Sequence, residues 1–283
     1  MTLGLLLASP WWLLRMLTTE RYREGLAQRL GAVPQTLRNY TAGHRVIWLH
    51  AVSVGEVLAA SRLITELEAA LGETYRIVIS TTTKTGQHLA RERFGAERVF
   101  YMPLDFAFAT RRYLRALNPS AVILTESELW PRLLHECNTR SIPVAVINAR
   151  VSDRSFARAM KFRTIWQRIL RKPTLFLAQS EQDAQRLTTL LNTTPQLRHP
   201  ERSAAQSKDL PHLLPDQPVS TFTTTNSAPQ ILVTGNLKYD IRAPKQNRAA
   251  QLITELAQGR PIVVAGSTVA STDPKVETEE AQV

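Results

Sequence analysis

Cysteine is almost missing from this 283-residue chain: Cys137 stands alone, so no internal disulfide can form and a disulfide-stapled scaffold is excluded. The six histidines (His44, His50, His88, His135, His199 and His212) never fall at a zinc-ligand spacing, so no metal ligands are nominated. Glycine, at 11 residues, and proline, at 16, follow no repeat, which removes collagen-like architectures. Uninterrupted apolar runs of the ~20 residues that span a bilayer are also lacking. Acidic residues are the minority sign: 24 Asp and Glu face 35 Lys and Arg, a net charge of +11 that favours an anionic partner. Nucleic acid, an anionic membrane surface and a phosphorylated small molecule all meet that condition. What remains is 43% hydrophobic and 21% charged, enough apolar side chains for a folded core, and the length suits about two domains.

The stretch Met1–Leu17 is apolar but broken by Pro10 and Arg15, with Arg21, Arg23 and Arg29 following. Two readings stand for it: a segment lying at a membrane interface with Trp11 and Trp12 at headgroup level, or an ordinary core helix. A secretory signal would carry its positive charge before the apolar run, not after. From Arg45 onward, short β-branched runs alternate with helical stretches: Val46–Val52, Tyr75–Thr82, Val99–Met102, Ala121–Thr125, Pro143–Asn148 and Thr174–Gln179. They are continuously apolar, as buried parallel strands are, and Val57, Ala60, Ile64, Leu67 and Leu71 draw one apolar stripe down the helix after the first. The fold expected is a doubly wound α/β sheet, with ligands beyond the carboxyl ends of its strands. Between Leu191 and Gln230 the chain turns rich in Pro, Ser, Thr and Gln, and disorder is the expectation there. A run at Ile231–Thr234, a helix near Arg248–Leu256 and a strand Pro261–Ala265 begin a second α/β domain before the polar tail Ser271–Val283.

The first strand ends in His50-Ala-Val-Ser-Val-Gly-Glu56. Ser53 and Glu56, three apart ahead of a helical stripe, fit a capping box in which Glu56 reaches back to the Ser53 backbone N–H. The same loop also sits where a carboxylate meets a substrate hydroxyl, and Gly55 beside it lets backbone approach a ligand. Both roles stay open for Glu56. The fourth strand ends in Thr125-Glu-Ser-Glu-Leu-Trp-Pro131. On extended chain its two carboxylates face opposite ways, so Glu126 is the one expected in a pocket and Glu128 favours the following helix dipole. From Arg150 to Lys172 eight basic residues stand against Asp153 alone, interleaved with Phe156, Met160, Phe162, Ile165 and Trp166. That pattern reads as one basic amphipathic helix, either a solvated face or a surface for phosphate or membrane. Walker, Gly-x-Ser-x-Gly and Gly-x-Gly-x-x-Gly signatures are absent, and no RNA- or DNA-binding motif occurs, so nucleic acid is not an expected partner.

Six motifs in order, His50–Glu56, Thr81-Thr-Thr-Lys-Thr-Gly86, Thr125–Pro131, Asn148-Ala-Arg150, Ala178-Gln-Ser-Glu181 and Thr234-Gly-Asn-Leu-Lys-Tyr-Asp240, together resemble the bacterial 3-deoxy-D-manno-octulosonic acid (Kdo) transferases. The resemblance implies a Rossmann-like, GT-B type glycosyltransferase that moves Kdo from CMP-Kdo to the lipid A precursor in lipopolysaccharide synthesis, at the cytoplasmic face of the inner membrane and with no cofactor. It implies a general base at Glu56, with Glu126 and Lys238 as supporting or charge-stabilising groups. Ser53, Gly55 and Arg150 are the candidate substrate-binding residues. The expected organisation is a membrane-associated segment over 1–30, an acceptor domain over 31–190, an insertion over 191–230, and a linker with an incomplete nucleotide-sugar domain over 231–283. Three departures from the family pattern stand out: the insertion, Lys84 where the family writes proline, and no counterpart of the motifs that hold CMP. The chain alone is therefore expected to be inactive. Another GT-B lipid glycosyltransferase, or a non-catalytic anionic-lipid-binding remnant, are the alternative readings.

Overall fold

The computed structural model describes residues 24–126, 128–192 and 228–237. The expected N-terminal segment up to residue 23, most of the 191–230 insertion, Lys238 and the second domain lie outside the described residues.

Seven parallel strands form one sheet in the order β3-β2-β1-β4-β5-β6-β7. They run Arg45–His50 (β1), Tyr75–Thr81 (β2), Val99–Tyr101 (β3), Pro119–Thr125 (β4), Val144–Ala149 (β5), Leu175–Ala178 (β6) and Gln230–Val233 (β7). The helices are Leu26–Arg29 (α1), Gln35–Thr41 (α2), Val54–Leu71 (α3), Lys84–Phe94 (α4), Ala107–Leu117 (α5), Pro131–Thr139 (α6), Asp153–Lys161 (α7), Arg163–Leu170 (α8) and Glu181–Leu191 (α9). The doubly wound α/β architecture is as expected from the alternation of apolar runs.

Alternate residues of the central strand feed two cores, because successive side chains of a strand face opposite sides. Val46 and Trp48 join Tyr113, Leu114 and Leu134 from α5 and α6, while Ile47 and Leu49 meet Val57, Ala60 and Ile64 of α3. Leu67 and Leu71 complete the expected stripe, partly buried. Trp48 packs against Phe100, and its indole N–H donates to Ser80 Oγ at 2.7 Å. The α5–α6 contact is locked by Glu136, whose side chain is 3% exposed. Burial pushes its carboxyl pKa up, but Arg111, Arg140 and Arg132 around it outweigh that and hold it down at about 2. Cys137 beside it is buried, with its thiol pushed up to about 12.

Three expectations change. The run at Ile231 does not open a second domain: as β7 it pairs with β6, Phe176 opposite Ile231, and completes the first sheet. Arg29, expected with the basic residues that face a membrane, is buried at 4% exposure; it donates to the Thr82 carbonyl at 2.6 Å and stacks on Tyr101. Residues from Glu24 onward thus belong to the sheet's carboxyl edge, with Glu24 accepting from the Tyr101 hydroxyl and pairing with Lys84. Finally, the continuous basic helix is two helices broken at Phe162 (φ −119°, ψ 38°). Beyond the break, Leu170 and the partly buried Trp166 pack with Phe176 and Val146 of the sheet.

Candidate active site

β1 and β4 are sheet neighbours although β2 and β3 separate them in sequence, so the strand order reverses between them. The crevice beyond such a reversal is where open α/β sheets bind ligands. Its walls are the loop from β1 into α3 and the loop from β4 into α6, the two segments that carry Glu56 and Glu126.

Glu56 lies in the first turn of α3 and is 8% exposed. Its Oε2 accepts the Val52 backbone N–H at 2.8 Å, the Ser53 hydroxyl donates to Oε1 at 3.2 Å, and the Thr125 hydroxyl contacts Oε2. The capping box does not form as expected. Glu56 takes the N–H of Val52 rather than that of Ser53, and the Ser53 side chain caps no helical N–H, spending its proton on Glu56. Thr125 also lies 3.0 Å from the His50 carbonyl, but its single proton is better placed on the charged acceptor. A carboxylate offers about four acceptor positions, so three donors leave capacity for one further hydroxyl. Gly55 is exposed, and a Cβ there would meet only Ser53 Oγ at 4.0 Å, so the space above the amino end of α3 is open.

Glu126 is half-buried at φ +55°, a left-handed conformation uncommon for a side-chain-bearing residue, with its N–H bonded to the Ile147 carbonyl at 2.8 Å. The strand therefore stops being extended at Thr125, and the alternation that would send Glu126 and Glu128 to opposite faces does not apply. Glu128 is not a mere helix-dipole charge either. Burial first, then the negative charges of Glu56 and Glu126, push its carboxyl pKa up. Glu128 therefore stands within the electrostatic reach of Glu56 and Glu126 rather than apart from them, a neighbour that sequence reasoning missed.

His50 was likewise overlooked as a separate residue of the site. Its ring is fully buried, which lowers its pKa to about 4 and keeps it neutral near pH 7, while its Nδ1 lies 3.0 Å from the Ser80 carbonyl. Donation from Nδ1 fixes the tautomer and leaves Nε2 an acceptor. Nε2 is buried without a partner, as is the Trp130 indole N–H, the two rings standing edge to face at 5.7 Å.

The remaining motifs brace these loops. Thr83 caps α4, accepting from Gly86 N–H at 3.1 Å, and the N–H groups of Thr82 and Thr83 both reach the Val52 carbonyl. Asn148, buried at φ +54°, accepts the Leu237 N–H at 3.1 Å, bringing the Gly235-Asn-Leu237 segment onto the end of β5. Lys238, next in sequence, lies outside the described residues. Asp183 of α9 accepts the Val151 N–H at 2.7 Å and Arg186 donates to the Val151 carbonyl, which fixes the loop bearing the exposed Arg150.

Residues 24–199 match the family described as 3-deoxy-D-manno-octulosonic-acid transferase (kdotransferase). A 3-deoxy-D-manno-octulosonic acid transferase of Haemophilus influenzae is 31% identical over 252 residues, covering 88% of this chain and 50% of the relative. One from Bordetella pertussis is 28% identical over 78% of this chain and 44% of its own length. A bifunctional glycosyltransferase/methyltransferase of Fusobacterium nucleatum is 33% identical over 51% of this chain and 23% of its own. The chain spans about half the length of the Haemophilus influenzae relative it matches. On the extent of that family match and the motifs that its sheet brings together, the chain belongs to the 3-deoxy-D-manno-octulosonic-acid transferase family.

Proposed function

We propose that this chain supplies the acceptor-activating half of a Kdo transfer from CMP-Kdo to the lipid A precursor. The observation that carries the proposal is Glu56, an ionisable carboxylate held by Val52, Ser53 and Thr125 at the mouth of the strand-order reversal. In this reading the acceptor's sugar hydroxyl takes the remaining acceptor position on Glu56 and gives up its proton there as its oxygen attacks the anomeric carbon of Kdo. The bond to the CMP phosphate breaks on the opposite side, and CMP leaves with the bonding electrons. Lys238 and Arg150 are assigned to the anionic leaving group and to the substrates' negative groups, with Ser53 and Gly55 lining the approach. The reaction needs no cofactor.

Among the described residues no helix is long and apolar enough to cross a membrane. Exposed Met160, Phe162 and Ile165 stand among Arg154, Arg158, Lys161 and Arg168 on α7 and α8, a surface suited to an anionic bilayer. We therefore assign peripheral attachment at the cytoplasmic face of the inner membrane. The test is Kdo transfer to the tetraacyl lipid A precursor by this chain, and by this chain fused to the C-terminal half of the Haemophilus influenzae relative. Transfer by the fusion, and a loss of about 100-fold to 10,000-fold in kcat on Glu56→Gln, is expected. Undiminished transfer by Glu56→Gln refutes the role of Glu56, and an inactive, folded fusion refutes the transfer itself.

A further inference from the structure

Arg29 and the threonine-rich loop after β2 take no part in the transfer chemistry, yet both bear on the backbone that holds Glu56. Arg29 is 4% exposed and donates to the Thr82 carbonyl at 2.6 Å. A trans peptide is a rigid plane whose C=O and N–H point opposite ways, so a guanidinium that fixes the Thr82 carbonyl also aims the Thr83 N–H of the same unit. That N–H reaches the Val52 carbonyl at 3.1 Å, and the Thr82 N–H joins it at 3.2 Å. Val52 is thus gripped at its carbonyl, while its own N–H donates to Glu56 Oε2 at 2.8 Å. The first turn of α4 closes on the same place. A Cβ on Gly86 would stand 2.8 Å from Thr83 Oγ1 and 3.3 Å from both the Val52 carbonyl oxygen and the Ser53 carbonyl carbon. Contacts that short force the neighbours to move, and two of the three are backbone. Alanine is the better helix former and Gly86 has no positive φ, so what the glycine supplies here is close approach rather than conformational freedom.

We propose that Arg29 and Gly86 are positioning residues for the general base, acting through the Thr82–Thr83 peptide on Val52 and so on the Glu56 carboxylate. The assignment rests on the reading of Glu56 as the base. Of the three groups that hold Glu56, those of Ser53 and Thr125 are side-chain hydroxyls that rotate about a single bond, whereas the Val52 N–H moves only with its loop. The Val52 carbonyl and N–H flank one Cα, so a residue held at its carbonyl has the direction of its N–H set to within two backbone rotations. Arg29 supplies the firm end of this arrangement, because its bond is charge-assisted and its guanidinium lies 4.5 Å over the Tyr101 ring. Gly86 supplies the fit, since it lets α4 press the threonine loop against the Val52–Ser53 peptide. Neither residue touches the reacting atoms. Together they fix the one donor to Glu56 that no side-chain rotation can adjust.

The experiment is amide NMR of the full chain at pH 7, with the Val52 amide proton shift compared between the unsubstituted protein and Glu56→Gln. A neutral acceptor draws the proton less than a carboxylate does, so the difference between the two spectra reads the Val52–Glu56 bond. Measured again on the Gly86→Ala background, and separately on Arg29→Met, that difference should shrink about twofold or more, because the bond weakens steeply with misalignment. The control is the Val151 N–H, which donates to Asp183 at 2.7 Å on the β5 side of the sheet and should keep its shift in every protein. A retained Trp48 indole resonance, from its bond to Ser80, shows that the sheet is intact. Should Arg29→Met lose that resonance, Gly86→Ala decides alone. An undiminished difference in folded Gly86→Ala or folded Arg29→Met overturns the proposal, and so does an equal displacement of Val151. Neither donor nor acceptor is present in the tube, so the outcome is separate from that of the transfer assay: a shrunken difference beside an inactive fusion refutes the transfer alone, and an undiminished one beside an active fusion refutes the positioning alone.

Discussion

Acidification should loosen this fold through a single imidazole. His50 is buried at the carboxyl end of β1 and is kept neutral by burial, its pKa falling from the ordinary 6.5 to about 4. In the unfolded chain the same ring takes up a proton near pH 6.5, while the folded ring does not until about pH 4. The stability tied to the neutral ring is therefore complete above pH 6.5 and is lost as the pH falls from there to about 4. The full depression corresponds to about 3 kcal/mol, of which about 2 kcal/mol is gone by pH 5. Glu136, held down by its arginines, gives up its share only below its ordinary 4.5, so it does not cloud the upper window. Asp105 and Glu128, raised mainly by burial, act in the opposite sense and gain stability on acidification, at the lower end of the range. Urea unfolding followed by tryptophan fluorescence at pH 7.5, 6 and 5 measures the slope, and His50→Asn should remove about 2 kcal/mol of the difference between pH 7.5 and pH 5. Because that variant can fail to fold, the ring is also followed by NMR in the unsubstituted protein, where the Nδ1–H tautomer should persist at pH 5. Parallel slopes in the two proteins, or a ring that titrates near 6.5, would refute the reasoning.

Removing the charge at Glu136 leaves Arg111, Arg132 and Arg140 without their shared carboxylate, and Glu136→Gln should cost about 3 kcal/mol by chemical denaturation at pH 7. A loss under about 0.5 kcal/mol would mean the cluster is solvated rather than structural. Thr125→Val takes one donor from Glu56 and should lower kcat of the active fusion about tenfold, with KM nearly unchanged and a stability cost of about 1–2 kcal/mol, whereas Thr125→Ser should retain activity. If Thr125→Val and Thr125→Ser behave alike, the hydroxyl does not orient the base.

Local pattern settled much of this protein. Each of the six strands read from β-branched apolar runs forms, with ends moved by at most two residues, and the stripe from Val57 to Leu71 is the buried face of α3. A parallel strand buried on both faces needs such runs, so the signal and its cause are the same thing. The motif order likewise carried the family, since each motif sits in one short segment. Contacts between distant segments were not legible. That Glu56 is held by Thr125 from another strand, that Asn148 receives Leu237, and that β7 closes the first sheet all depend on which strands become neighbours. The positive φ of Glu126 belongs to this class too, because it is the Ile147 carbonyl on β5 that receives its N–H and supports the turn. Sequence spacing fixed which residues share an element. Only the sheet order decided that the segments bearing Glu56 and Glu126 flank one crevice, and only the tertiary packing decided that Trp166 and Leu170 of a basic stretch would line an apolar cavity.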